Sequence, residues 1–293
     1  MSGLIGEFNR RLNASLVPEE TSRGWADYRK EVTRRLSGAM KQGGRTVLFG
    51  AGNLLDIDLD EIAGISKSIV LADIDTKAVE GALSSLRLNK ERIRIERVDL
   101  GGLDMAGLPG EIDGYLASGD YGALAGCLGS FRPASFNPVA GGEFDNVLFS
   151  PVYTQLFIPW FIERLGAHEV GAKQAAILVE SALGLAARLI REVNDSVISC
   201  ACEEAVVAVW SDILEFESGD PAAEDIRKNI GDSGWMDMLY ENYELMHGHG
   251  LGSYGIHDMA SRLFDVSRDW MLWPMVENRM MVVKFISGKM KRD

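Results

Sequence analysis

Cysteine is scarce. The 293 residues hold three, Cys127, Cys200 and Cys202. An odd number with no Cys-x-x-Cys pair argues against a disulfide framework and against a thiolate zinc site. Positive charge is also short, with 30 Lys and Arg against 43 Asp and Glu for a net charge of -13. Such a field repels a phosphate backbone, so duplex nucleic acid is not an expected partner. A basic excess near the N-terminus, including Arg10, Arg11, Arg34 and Arg35, reads as a solvated helix face. Long apolar runs are missing too: the best, over 175–190, is interrupted by Glu180, Ser181 and Arg188. It falls short of a bilayer span, and no membrane partner is expected. The opening MSGLIGEFNRR lacks a basic region followed by an apolar stretch, so a cytoplasmic, reduced protein is the expectation. No internal repeat or low-complexity tract is visible.

What remains is ordinary globular composition, 46% hydrophobic and 25% charged, enough to build a sizeable core. Trp25, Tyr28, Val32, Leu36 and Met40 recur at three- and four-residue steps, which predicts a helical N-terminal cap over 1–44. Gly43 and Gly44 then close the helix. From Arg45 the character changes. Short apolar runs at 46–49, 68–72, 93–98 and 146–149 have strand length and are separated by segments long enough for crossover helices, which is the pattern of a parallel sheet. Residues 101–143, rich in Gly and Pro, read as an irregular insertion with one or two short helices. Further helices are expected over 156–165, 172–193 and near 257–266, and a fifth strand over 205–210. Runs at 269–273 and 279–286 are separated by a turn at 274–278, too short for a crossover, and must pair antiparallel.

Four features sit at the ends of the first four strands. Gly50-Ala51-Gly52 lets backbone approach a ligand at the carboxyl edge of the sheet. A dinucleotide loop would have a third glycine where this chain has Leu55, and its helix begins late, near Asp58, after Asp56. Paired carboxylates there disfavour a phosphate and favour an ammonium group. Asp73 ends the second strand, placed to accept hydrogen bonds from ribose hydroxyls. Asp99 ends the third, placed to accept from an exocyclic amine. Phe144 to Pro151 forms a strand whose end, Ser150, floors the same crevice.

With VLFGAGN, VLADID, RIERVDL and FDNVLFSPVY in that order, the chain from 45 to 286 resembles the class I S-adenosylmethionine-dependent methyltransferases. The resemblance implies a Rossmann-like, mostly parallel seven-stranded sheet with an antiparallel C-terminal strand and helices on both faces. The implied cofactor is S-adenosyl-L-methionine, and the implied partner is a small-molecule methyl acceptor. Gly50 and Gly52 would line the methionine moiety, Asp73 would hold the ribose, and Asp99 with the Leu100 backbone would face the adenine. Asn53 and Asp56 would meet the amino-acid end, with Ala51, Ile74 and Ser150 completing the lining. The chain departs from the family's pattern at Leu54, where a third glycine is common, and at Leu48, where an acidic residue is. Two other classes stay open: a methyltransferase-like binding or scaffold protein without catalysis, and a nicotinamide-dependent oxidoreductase.

Acceptor-side candidates are few, because methyl transfer needs positioning more than a fixed triad. Ser150-Pro151-Val152-Tyr153 is similar to the tetrapeptide of amino-group methyltransferases but lacks its second proline, and a packing role for Tyr153 is favoured. His247 and His249 lie among glycines, where they offer a base or metal ligands, with His257 and Asp258 the nearest additions; a surface loop is favoured, and no metal site is expected. Asp212 faces the crevice or caps the next helix.

Overall fold

The structure is a computed structural model that describes residues 3–15, 23–87, 90–133, 139–140, 142–217, 219–276 and 278–291. Seven strands form one sheet: β1 (Arg45–Phe49), β2 (Ser68–Asp73), β3 (Ile93–Arg97), β4 (Phe144–Phe149), β5 (Ala201–Glu217), β6 (Leu263–Val276) and β7 (Arg279–Met290). Their order is β3-β2-β1-β4-β5-β7-β6. Strands β1 to β5 pair parallel, and β7 pairs antiparallel with both β5 and β6. This is the Rossmann-like, mostly parallel arrangement with an antiparallel C-terminal strand that the family resemblance implies.

Alternation along each strand distributes side chains to two faces. From β1, Leu48 joins a cluster with Tyr28, Val32 and Leu36 of α2 (Ala26–Ala39), Ile62 of α3 (Leu59–Ile65) and Val79 of α4 (Thr76–Ser85). Val47 and Phe49 join the opposite cluster, under Ile190 and Val193 of α8 (Ala172–Ile198) and Met259 of α11 (Leu251–Ser261). Burial on both faces is why β1 and β2 read as near-continuous apolar runs, whereas β3, at the sheet edge, alternates with charged residues. Asp58 starts α3 by accepting the amides of Asp60 and Glu61, and Thr33 Oγ1 of α2 accepts the Asp58 amide at 2.8 Å.

Residues 101–143 do contain two short helices, α5 (Leu108–Ser118) and α6 (Tyr121–Ser130). Ile112, Leu116, Leu124 and Leu128 pack them against α7 (Ile158–Ala167) and α8. Above them lies α1 (Leu4–Ser15), whose Ile5 enters the same cluster. The remaining helices among the described residues, α9 (Pro221–Asn229) and α10 (Ser233–His247), cover the far end of β5 through Ile226, Met236 and Tyr240.

Several boundaries differ from the sequence expectation: β5 starts at Ala201 rather than 205, and α8 runs on to Ile198 rather than 193. Strand β5 continues seven residues beyond 210, to Glu217, because Leu214 and Phe216 are buried while Glu215 and Glu217 are exposed, a period-two pattern. The helix expected near 257–266 is α11, which ends at Ser261, and β6 begins at Leu263. Pro274 lies inside β6 rather than in a turn; β6 is the sheet edge and its register shifts between Trp273 and Val276, both of which accommodate a residue without an amide hydrogen. Among the described residues no helix is long and apolar enough to cross a membrane.

Candidate functional site

The order of strands reverses direction at β1 and β4, which places a crevice outside their carboxyl ends. Gly50 follows β1, Asp73 ends β2, Asp99 lies two residues past β3, and Ser150 follows β4. A cavity of ≈ 420 Å³ occupies this crevice. All ten residues expected to meet the cofactor line it: Gly50, Ala51, Gly52, Asn53, Asp56, Asp73, Ile74, Asp99, Leu100 and Ser150.

The glycine turn is built tightly. Gly50 takes φ +72, and a Cβ there would collide with Val152 Cγ1, so only glycine fits both the backbone and the space. Leu54, at the position where a glycine is common in the resembling family, keeps a glycine-like φ of 56°. The left-handed backbone costs about 1–2 kcal/mol for a residue with a Cβ. Burial of the side chain among Trp25, Ile57 and Leu59 offsets it.

Asp73 Oδ2 accepts the Gly52 amide and Oδ1 accepts the Asp75 amide, both at 2.8 Å. Burial foremost raises its carboxyl above the ordinary range. Asp99 is likewise raised by burial, then by neighbouring Asp104, and its Oδ2 accepts the Asp104 amide at 3.0 Å. Burial pushes Asp56 up to about 7, with Arg29 opposing and Asp212 reinforcing. Asp56 Oδ1 is inaccessible and has no hydrogen-bond partner among the described residues.

Helix α1 closes one side of the cavity with Ile5, Phe8, Asn9, Leu12 and Asn13, residues that no motif in the sequence singles out. The opposite side is lined by Trp25, Asp212, Glu215, Trp273, Met275 and Met281. Asp212 caps no helix, because β5 runs on through it.

The three acceptor-side candidates from the sequence lie elsewhere. Tyr153 is buried against Phe149, donates to Asn194 Oδ1 at 2.7 Å, and is raised well above its usual range by burial. It does not border the cavity. His247 lies tilted against Tyr243 with ring centroids 4.6 Å apart, and His249 Nδ1 lies 2.7 Å from Glu244 Oε1; neither borders the cavity. The glycine-rich segment around them is mostly helix, since α10 ends at His247 and α11 begins at Leu251. Ligand atoms of Glu244, His249 and His257 come within 4.8 Å of one another there.

A β7 strand inserted antiparallel between β5 and β6, with the ligand crevice at the β1/β4 reversal, defines the class I methyltransferase fold. The chain has that fold. Its full length is similar to the N-methyltransferase NodS from Bradyrhizobium japonicum WM9 in complex with S-adenosyl-L-homocysteine: TM-score 0.50 and 11% identity, covering 98% of this chain and 99% of that one. A second structure of NodS gives a TM-score of 0.45 at 10% identity, over 94% and 100% of the two chains. A methyltransferase from Anabaena variabilis gives 0.43 at 9% identity, over 92% and 87%. No family model and no curated protein sequence matches the chain.

Proposed function

We propose that the protein is an S-adenosylmethionine-dependent methyltransferase acting on a small molecule. The observation that carries this reading is the single cavity in which the glycine turn, Asp73 and Asp99 converge at the ends of three adjacent parallel strands. It stands open rather than filled by the protein's own side chains, and NodS, of similar fold, is described with S-adenosyl-L-homocysteine.

The residues fit the nucleoside. Asp73 lines the cavity while accepting the Gly52 and Asp75 amides, and in this reading its remaining acceptor capacity serves the ribose hydroxyls. Asp99 and Leu100 line the same cavity, and in this reading the Asp99 carboxylate accepts the adenine amine. Asp56 Oδ1 is an orphaned buried acceptor, and with Asn53 it suits the ammonium of the methionine end. Bound there, the cofactor supplies a methyl group already activated by sulfonium. What this chain contributes is position, a dry wall from α1, and charge complementarity.

In this reading residues 1–44 are a cap and 45–293 the cofactor-binding domain, with 101–143 inserted to shape one wall. The net charge of -13 supports a partner other than duplex nucleic acid, and the few, unpaired cysteines support a cytoplasmic location. Calorimetric titration with S-adenosylmethionine and S-adenosylhomocysteine tests the assignment: saturable binding on the order of micromolar Kd is expected. Absence of saturable heat for both nucleosides would remove it.

A further inference from the structure

The cavity is longer than the nucleoside half that β1, β2 and β3 supply. Beyond the β1/β4 reversal it continues beneath β5, β6 and β7, where Asp212, Trp25, Trp273 and Met281 line it. None of the described residues lining the whole cavity is Lys, Arg or His, while five are carboxylates: Asp56, Asp73, Asp99, Asp212 and Glu215. The proposed function accounts for Asp73 and Asp99 at the nucleoside and for Asp56 at the amino-acid end. Glu215 has a cation of its own, Arg279 Nη1 at 3.1 Å.

Asp212 is left. Its Oδ1 accepts Thr154 Oγ1 at 3.2 Å and Ser211 Oγ at 3.3 Å, and no ion pair involves it among the described residues. The register of β5 against β7 shifts between Asp212 and Leu214, an irregularity of the kind that re-aims a side chain beside a site. Gly252 of α11 sits against the Asp212 carbonyl so closely that a Cβ would not fit, which fixes the backbone from behind. The groups facing the carboxylate are Thr154 after β4, Ser211 and Glu215 on β5, Asp56 after β1 and Tyr28 on α2. None of these carries positive charge. Burial raises the Asp212 carboxyl above the ordinary range, the condition that a bound cation relieves.

The walls match a cation as well. Trp25 and Trp273 meet edge to face with centroids 4.8 Å apart, and Trp273 stacks on Tyr28 at 5.5 Å. Trp273 is 7% exposed and its Nε1 has no hydrogen-bond partner among the described residues. Indole faces and thioethers beside one uncompensated carboxylate are the chemistry that recognises an ammonium group on an apolar body.

We infer that the methyl acceptor is a cationic amine whose ammonium group is held by Asp212 against the indole rings of Trp25 and Trp273. This rests on the methyltransferase reading and deepens it. Asp212 is then both anchor and proton acceptor: the N–H bond of the ammonium breaks, the proton passes to a carboxylate oxygen, and the electron pair stays on nitrogen as the lone pair that methyl transfer requires.

The test uses the intact protein saturated with S-adenosylhomocysteine and titrates a matched pair of probes, 2-phenylethylamine and the nearly isosteric 2-phenylethanol. The amine is expected to bind at least ~10-fold more tightly than the alcohol, the scale of one charge-assisted contact. In Asp212→Asn, compared at pH 8.5 where Asp56 is ionised with or without its Asp212 neighbour, that preference is expected to vanish while S-adenosylhomocysteine affinity stays within about twofold, which also reports that the variant is folded. Equal affinity for the two probes, no binding of either at millimolar concentration, or an unchanged preference in Asp212→Asn overturns the inference. Should Asp212→Asn fail to fold, the comparison in the unaltered protein still decides. If the unaltered protein fails to bind S-adenosylhomocysteine at all, it is the methyltransferase reading that falls; nucleoside binding without amine preference removes only the acceptor class.

Discussion

Asp73 Oδ2 holds the Gly52 amide at 2.8 Å. The carboxylate read as the ribose anchor of β2 therefore also sets the shape of the glycine turn after β1, 21 residues earlier in the chain. Removing it should damage binding in two ways, by deleting an acceptor and by loosening the turn. Asp73→Ala is expected to weaken S-adenosylhomocysteine roughly 10- to 100-fold and to lower Tm, because the Gly52 and Asp75 amides lose their partner. Asp73→Asn keeps one acceptor oxygen and should fall between. Calorimetry that finds Asp73→Ala binding like the parent protein would sever Asp73 from the cofactor.

Two glycines with nearly the same backbone separate conformational strain from steric crowding. Gly50 has φ +72 and faces Val152; Gly107 has φ +74 and open space. Alanine at Gly107 should cost only the left-handed term, about 1–2 kcal/mol. Alanine at Gly50 adds overpacking, a further 1–3 kcal/mol or so. Urea denaturation of the pair measures the difference, and equal midpoints would mean that Val152 yields freely.

The Asp56 carboxyl stands at about 7 because burial penalises its charged form, with Arg29 of α2 opposing and Asp212 of β5 reinforcing. In the folded protein it holds its proton more tightly than in the unfolded chain. Its contribution to stability is therefore complete below the ordinary carboxylate pKa of 3.8 and is lost as pH rises towards about 7. Ligand binding has the opposite sign, since an ammonium group favours the carboxylate. Affinity for S-adenosylhomocysteine should rise up to ~10-fold per pH unit below about pH 7 and level off above it. Asp56→Asn should flatten the profile. Calorimetry in buffers of different ionisation enthalpy should also detect a proton released on binding near pH 6, and a flat profile in the parent protein would place the ammonium elsewhere.

The nucleoside half of the site is legible in the sequence because each of its residues sits within two positions of a strand end, and strand ends are what short apolar runs reveal. Gly50, Asp73, Asp99 and Ser150 all follow that rule. The opposite half is assembled from distant pieces. Trp273 and Met281 are ordinary members of β6 and β7, and they reach the cavity only because β7 inserts between β5 and β6. Trp25 shows the ambiguity of a helical stripe: its side chain is in the core and also borders the cavity, with Nε1 donating to the Met275 carbonyl at 3.2 Å. Phe8 and Asn13 carry no local signal, since their role depends on where α1 comes to rest.

That resting place is set by one carboxylate. Asp104, in the insertion, accepts the amides of Ile5 and Gly6 through its two oxygens, each at 3.0 Å, and so caps the start of α1 from about a hundred residues away. The other end is tied by Asn13, whose Nδ2 donates to Asp75 Oδ2 at 3.1 Å and whose carbonyl accepts Asn53 Nδ2 at 3.1 Å. Between the two ties lie Phe8, Asn9 and Leu12, all cavity walls. A carboxylate at a helix start contributes about 0.5–2 kcal/mol. Asp104→Ala should therefore speed amide exchange across α1 by roughly 3- to 30-fold while the sheet amides keep their protection. With the wall loosened, S-adenosylhomocysteine should dissociate faster by a similar factor. If α1 exchanges no faster in the variant, Asn13 and the burial of Ile5 are sufficient to hold the helix, and Asp104 has no part in closing the site.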